Sequence, residues 1–334
     1  MIVVFSYNGD VATAPVLDWL LYYGCIYKRI NLEDEDFRNI SVVIDNKGEP
    51  EINLKLSDGE TLKMNEVNYF LYRGGRFRFE IKSSNKDKIP YKTVKHHLKL
   101  EFKTLTNLFY QQVSKKCLGN ILHYPLNKLK QLTAAAEVGI KIPETIISYS
   151  GDKLVKKWSK YKKPIITKAI QENVFLQIMG DKYIDLKVTE VDLMDIEETF
   201  FPSLFQESIK KSIEIRSFYL AGNFYSIAMI LKHAKERVID FRTHTNDIRY
   251  CRYNLPVSLE KKLHELMRRL NLITGSIDLI QSDRGEYYFL EVNPTGQFGW
   301  VSYYGNYCIE KKIAAFLAKK DRNEEFKKSK IKTS

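Results

Sequence analysis

Residues 289–305 read FLEVNPTGQFGWVSYYG, and the first five place two oxygen donors, Glu291 and Asn293, among apolar neighbours before a break at Pro294. In a strand, side chains alternate between faces, so Glu291 and Asn293 share one face while Leu290 and Val292 point into a core. A lone Glu-x-Asn of this kind is ordinarily a solvated strand face, and its meaning depends on what else lies there. The preceding strand supplies a partner. In GSIDLIQSDRGEYYFLEVN, Asp278 stands between Ile277 and Leu279, a polar residue on an otherwise buried strand. A two-residue loop at Arg284–Gly285 sets Asp278 directly opposite Glu291, and a four-residue loop leaves it diagonal on the same face. Only an odd-length loop without a bulge separates them. Like charges opposite each other destabilise a sheet unless something neutralises them. Oxygen-only ligands from carboxylates and an amide suit Mg2+, with substrate phosphates completing its octahedron.

The elements that must carry this hairpin are legible along the chain. Residues 1–30 read as a strand (Ile2 to Phe5), a helix (about Ala14 to Tyr23) and a second strand (Cys25 to Ile30), followed by a β-rich run through Arg78. After Pro90 the pattern turns helical, with Val94, Leu98, Phe102, Leu105, Leu108 and Phe109 on one face. His96 and His97 are neighbours there, not spaced as ligands. A second unit begins near Cys117 with the helix NKLKQLTAAAEVG, Asn127 as N-cap and Gly139 as C-cap, then the strands KIPETIIS, KPIITKAI and VFLQIM. A third unit from about Phe205 holds LFQESI, a hairpin about Gly222–Asn223, the strand VIDFR, a helix at 258–270, the acidic hairpin and a final helix at about 306–319. The fold class is α+β, small α/β lobes closing on a cleft.

Composition narrows the class. A chain of 334 residues with 44% hydrophobic and 28% charged residues is a soluble globular protein of two or three domains. No apolar run approaches the ~20 residues that span a bilayer, so no membrane partner is expected. The start MIVVFSYNGD lacks the features of a signal peptide, and Cys25, Cys117, Cys251 and Cys308 show no ligand or disulfide spacing. A cytoplasmic location follows. The net charge of +12 calls for a polyanionic partner or substrate. The basic residues are spread along the chain with no recognition-helix or RNP-like pattern, so an acidic substrate is expected and nucleic acid is not.

SIDLI, a turn and YFLEVNPTGQFGW together resemble the metal-binding end of ATP-grasp ligases. The likeness continues in order through NKLKQLTAAAEVGIKIPET, KPIITKAI, FQESIKKSIEIRSFYLAG and DFRTH. With FSYNGDVATAPVLDWL, YFLYRGGRF and the tail NPTGQFGWVSYYG, the chain is similar to ATP-grasp peptide maturases that make graspetides, microviridin-type macrocyclases, and within them to the grasp-with-spasm subgroup. The resemblance implies an ATP-grasp fold with a pre-ATP-grasp domain (1–117), two lobes enclosing the nucleotide (118–204 and 205–320) and a basic tail (321–334). It implies ATP and Mg2+ as cofactors. Lys128 and Lys168 would hold the nucleotide, Glu207 and Ser208 the adenine, Glu214 the ribose or its surroundings, and Asp278, Glu291 and Asn293 the metal. Arg216 and Arg242 would grip the incoming carboxylate or the transferring phosphoryl group, Arg242 also facing the triphosphate, with Asp240 as candidate base. One departure is that residues 169–182 carry only Gly180 where many relatives have a glycine-rich phosphate loop. Arg73 and Arg76 in YRGGR remain unassigned.

The implied chemistry is activation of Asp or Glu side chains of a ribosomal precursor peptide as acyl phosphates, opened by Ser/Thr hydroxyls or Lys amines. The implied partner is a precursor with a leader and an acidic, Thr-rich core, and a homodimer stays open. The alternative is an ATP-grasp ligase joining an amino acid to a small carboxylate or a protein tail.

Overall fold

The structure is a computed structural model and describes the chain apart from residues 47, 79–90, 123–125, 159–163, 171–174, 180–181, 186–187, 232–247 and 333–334. The chain forms two compact units, one of Met1–Tyr124 with Cys308–Ser334 and one of Pro125–Tyr307.

In the first unit β1 (Ile2–Ser6) lies parallel to its neighbours in a four-stranded sheet. The chain runs through α1 (Ala14–Tyr22) to β2 (Tyr27–Asn31), then through an antiparallel sheet of β3 (Ile40–Val43), β4 (Glu51–Lys55) and β5 (Thr61–Lys63), and returns as β6 (Tyr69–Tyr72). Helix α2 (Tyr91–Ser114) leads to β7 (Cys117–Leu118), which closes the order β2-β1-β6-β7. Cys117 therefore belongs to this sheet and does not open the next unit. All five residues of β1 are buried, as both faces of a parallel sheet are normally covered. Phe109 of α2 packs into this core, but Val94, Leu98 and Leu105, expected on the same face, are exposed. Arg73 is buried beside Asp10 at 3.7 Å, and Arg76 donates to the Ile121 carbonyl at 2.8 Å. Both serve the architecture of this unit. The final helix runs Ile309–Lys332, well past the expected 319, and a separate short helix precedes it.

The second unit carries the acidic hairpin. It begins with α3 (Lys128–Glu137), whose N-cap Asn127 accepts from the amides of Leu129 and Lys130 at 2.9 and 3.2 Å. Gly139, at φ +74°, ends the helix in the left-handed conformation that glycine adopts without a Cβ clash. Strands β8 (Thr145–Ser150), β9 (Ile165–Lys168), β12 (Thr189–Val191) and β13 (Thr199–Glu207) form an antiparallel sheet in the order β12-β9-β13-β8. Helix α4 (Gly151–Trp158) lies between β8 and β9 in sequence; β10 (Phe175–Met179) pairs with β11 (Lys182–Asp185).

From β13 the chain passes at once into β14 (Lys211–Leu220) and β15 (Asn223–Leu231), then β16 (Ile248–Tyr253), α5 (Val257–Arg269), β17 (Thr274–Ser282), β18 (Tyr287–Asn293) and α6 (Gly299–Gly305). These strands make one antiparallel sheet, β16-β15-β14-β17-β18. Helix α5 buries Leu259, Leu263, Leu266 and Met267, spaced for a single helical face, against Ile215, Ile277, Leu279, Phe289 and Val292. The opposite face of the sheet is polar at its centre.

Candidate functional site

The site grows from the turn between β17 and β18. Ser282 N–H donates to Glu286 C=O at 2.9 Å and Gly285 N–H to Ser282 C=O at 3.0 Å, so Asp283, Arg284 and Gly285 form a three-residue loop, not two or four. An odd loop alone would send Glu291 to the core face. The ladder pairs Leu279 with Phe289 but Asp278 with Glu291, so Leu290 is the extra residue of a β-bulge. Phe289 and Val292 enter the core, at 0% and 2% exposure, whereas Leu290, expected inside, is half-buried. The expected pairing of the two carboxylates is present, reached by a different route.

One cross-strand row runs through the whole sheet: Arg252, Ile227, Arg216, Asp278 and Glu291 pair in succession from β16 to β18. Cations meet both acids. Arg216 Nε forms an ion pair with Asp278, and Lys128 Nζ, from the first turn of α3, lies 2.9 Å from Glu291 Oε2. Burial would raise the Glu291 pKa, but attraction to Lys128, their hydrogen bond, and the charges of Lys168 and Arg216 hold it below the ordinary carboxylate value. Lys168, at the end of β9, thus acts on the same carboxylate from the neighbouring sheet.

Helix α6 covers part of this face. The Arg216 guanidinium carbon sits 5.3 Å from the Trp300 ring centroid, a cation–π contact that fixes the plane of the guanidinium. Arg252 anchors the helix end by donating to the carbonyls of Gly305 and Asn306, and Tyr307 Oη donates to Ser226 C=O at 2.6 Å. Gly305 cannot carry a side chain, because a Cβ would meet the Tyr307 ring at 2.3 Å.

Glu214 is two residues from Arg216 on the same face of β14 and pairs with Lys211. Glu207 and Ser208 lie where β13 leads into β14, their backbone amides donating to Glu144 C=O at 2.8 Å and Pro164 C=O at 2.9 Å. Asn293 is one alternation beyond Glu291, opposite Ser276. Its Oδ1 accepts from Thr295 N–H at 3.0 Å, Thr295 Oγ1 at 2.9 Å and Gly296 N–H at 3.3 Å, so it also shapes the loop after Pro294. Asp240, Arg242 and the VIDFR segment lie outside the described residues.

Among the described residues no three His, Cys, Asp or Glu side chains cluster to hold a metal. The donor set is two facing carboxylates and one carboxamide, which fits a hard divalent cation sharing its shell with phosphate oxygens better than a site closed by protein. Sequence reasoning missed Lys211, Trp300 and Gln131. Lys211 was signalled by its three-residue spacing to Glu214, and Gln131 by a polar residue beside Leu132 and Ala135 on the buried side of α3.

The RimK-like ATP-grasp domain model matches residues 126–317, more than half of the chain. No curated protein sequence matches it. Among solved structures, a Chryseobacterium gregarium RiPP-associated ATP-grasp ligase in complex with ADP and a leader and core peptide is similar at a TM-score of 0.78 and 22% identity, covering 96% of each chain. The macrocyclase MdnC of Microcystis aeruginosa, bound with precursor peptide MdnA, gives a TM-score of 0.71 and 22% identity over 95% of this chain and 99% of that one. The ATP-grasp ligase PsnB, complexed with a phosphomimetic variant of minimal precursor, Mg and ADP, gives 0.67 and 13% over 97% and 98%. These likenesses establish the ATP-grasp fold anticipated from the motifs, and with the match over 126–317 the chain belongs to the RimK-like ATP-grasp family.

Proposed function

We propose that this protein is an ATP-dependent peptide macrocyclase that joins Asp or Glu side chains of a ribosomal precursor peptide to Ser/Thr hydroxyls or Lys amines. The observation that carries the reading is the row Arg216, Asp278, Glu291 with Lys128 at its end: two carboxylates and two cations in one half-buried patch. Support comes from the C. gregarium ligase with its leader and core peptide, from MdnC with its precursor, and from PsnB with Mg and ADP.

A carboxylate and a triphosphate repel each other, so a site that joins them needs cations aimed at both. Lys128 and Lys168 would hold the phosphates, with Glu207 and Ser208 at the adenine and Glu214 near the ribose. Asp278 and Glu291 would hold Mg2+, with Asn293 as third donor once it releases part of its loop. When bound, Mg2+ neutralises phosphate charge. Arg216, its plane set by Trp300, presents a planar fork suited to the incoming carboxylate. Arg242 and Asp240 keep their proposed places at the triphosphate and as general base. The protein's work in the first step is positioning and electrostatics.

We assign β8, β9, β12 and the first part of β13 to a lobe of 118–204, and the end of β13 with the sheet β16-β15-β14-β17-β18 to a lobe of 205–320, together enclosing the nucleotide. Residues 1–117 form the pre-ATP-grasp domain and 321–334 the basic tail. The finer parts of the reading are a precursor with a leader and an acidic, Thr-rich core, and a cytoplasmic place of action; whether the chain forms a homodimer stays open. The charge of +12 suits an acidic peptide, and no described helix is long and apolar enough to cross a membrane.

The test is incubation with ATP, Mg2+ and acidic, Thr-rich peptides, followed by mass spectrometry. Each ring closed should remove the mass of one water, with ADP and phosphate released together. Release of AMP and pyrophosphate would exclude the acyl-phosphate route. Transfer of free amino acids, with no loss of water within a peptide, would favour a carboxylate–amine ligase instead.

A further inference from the structure

We propose that Gln131 is a positioning residue that clamps the strand bearing Glu291 to the helix bearing Lys128. The inference rests on the reading of those two residues as parts of a nucleotide and metal site. Gln131 is 2% exposed. Its Oε1 accepts the Val292 N–H at 2.7 Å, a buried bond, and its Nε2 donates to Leu126 C=O at 3.2 Å. One carboxamide therefore ties together the entry to α3, its first turn and the C-terminal end of β18.

The placement follows from simple geometry. Gln131 is one helical turn beyond Lys128, and Val292 adjoins Glu291, so the clamp lies beside the 2.9 Å ion pair. Strand β18 is at the edge of its sheet, where outward amides have no strand to pair with. The Phe289 N–H is taken by Lys141 C=O at 2.8 Å, and Gln131 takes that of Val292. A lysine and a glutamate each lose rotamer freedom when they meet, so fixing both backbones leaves less to be ordered in forming the pair. Gln131 touches neither acid nor cation in the row. It acts through Val292 and the helix start, and groups behind metal-binding residues often tune affinity in this way.

The experiment combines residue-resolved hydrogen exchange with ADP titrations in the presence and absence of Mg2+, using the full chain. Gln131→Met removes both hydrogen bonds at similar volume, and Gln131→Glu keeps an acceptor for Val292. In Gln131→Met the Val292 amide should exchange about tenfold faster or more. The gain in ADP affinity conferred by Mg2+ should fall about tenfold, with affinity in the absence of Mg2+ within about twofold. Gln131→Glu should recover much of the Val292 protection. The proposal is overturned if Gln131→Met changes neither the exchange nor the Mg2+ gain. It is equally overturned if ADP binding falls alike with and without Mg2+ alongside a general loss of thermal stability, the pattern of a purely structural residue. Should Gln131→Met fail to fold, the unaltered protein decides: Val292 protected as strongly as β17 supports the clamp, and exchange at the rate of a fraying edge overturns it. If the unaltered protein shows no Mg2+ gain, the reading of the site fails, while the exchange data still judge the clamp.

Discussion

Asp278 and Glu291 face each other across the β17–β18 ladder, and each is met by a cation from a different element, Arg216 of β14 and Lys128 of α3. The acids are thus neutralised by cations of the protein itself. An incoming ion or phosphate would compete with pairs that already exist, so nucleotide and metal binding should rearrange Lys128 and Arg216 as well as fill a space.

Asp278→Asn and Glu291→Gln keep shape and remove charge. Turnover, read as ADP release, should fall by at least about 10²-fold in each variant, the scale of losing one preorganised electrostatic contact. Folding should persist, with a modest loss of stability as Arg216 or Lys128 loses its charged partner. Near-normal turnover in both variants would return Glu291 to an ordinary strand residue.

The depressed pKa of Glu291 has a defined sign in stability. The folded carboxyl titrates below the ordinary value of 4.5, so the unfolded chain takes up its proton first as pH falls. The contribution is present above that value and is lost as pH drops through the folded pKa. Lys128→Met removes the strongest attraction holding the group ionised and should flatten this acid-side loss. Thermal midpoints measured from neutral pH downward, with Glu291→Gln as the reference lacking the group, check it. Superimposable profiles for the unaltered protein and Lys128→Met would mean that the ion pair does not persist in solution.

Arg216→Lys retains charge and loses the planar fork and its stack on Trp300. If Arg216 holds the peptide carboxylate, affinity for a non-hydrolysable ATP analogue should stay within about threefold, under ~0.7 kcal/mol. Ring closure should fall sharply, since displacing the attacking group by ~1 Å can cost ~10²-fold. Calorimetric titration and peptide mass spectrometry measure the two separately. Loss of analogue binding with normal modification by the residual complex would assign Arg216 to the phosphates.

The second unit was legible where local chemistry decides. Asn127 and Gly139 bracket α3 because a side-chain acceptor and a left-handed glycine satisfy helix ends locally. Asp278 and Glu291 could be paired because alternation in a strand leaves few registers. What stayed hidden depends on distant partners. No local signal reveals that the loop at Asp283 has three residues or that Leu290 is bulged; together they are the odd-length case that keeps the acids paired. Val94, Leu98 and Leu105 of α2 follow a helical stripe yet lie outside the core, because periodicity states which residues share a face and not how far the neighbouring sheet extends. Gln131 shows locally only as a polar residue on the buried side of α3, and its role stays hidden because its partner is 161 residues away.

Leu290 also shapes the strand that carries it. Deleting it would leave a regular hairpin in which Phe289 still enters the core and Glu291 still faces Asp278, so the acid pair itself does not need the extra residue. What changes is the path between the outward amides of Phe289 and Val292, because a bulge bends its strand and increases the local twist while the pairings Leu279–Phe289 and Ile277–Val292 stay. Those amides reach the Lys141 carbonyl just past the end of α3 and the Gln131 side chain near its start. A straighter strand would aim these two amides differently, so the bulge turns the edge of β18 toward the helix packed beside it.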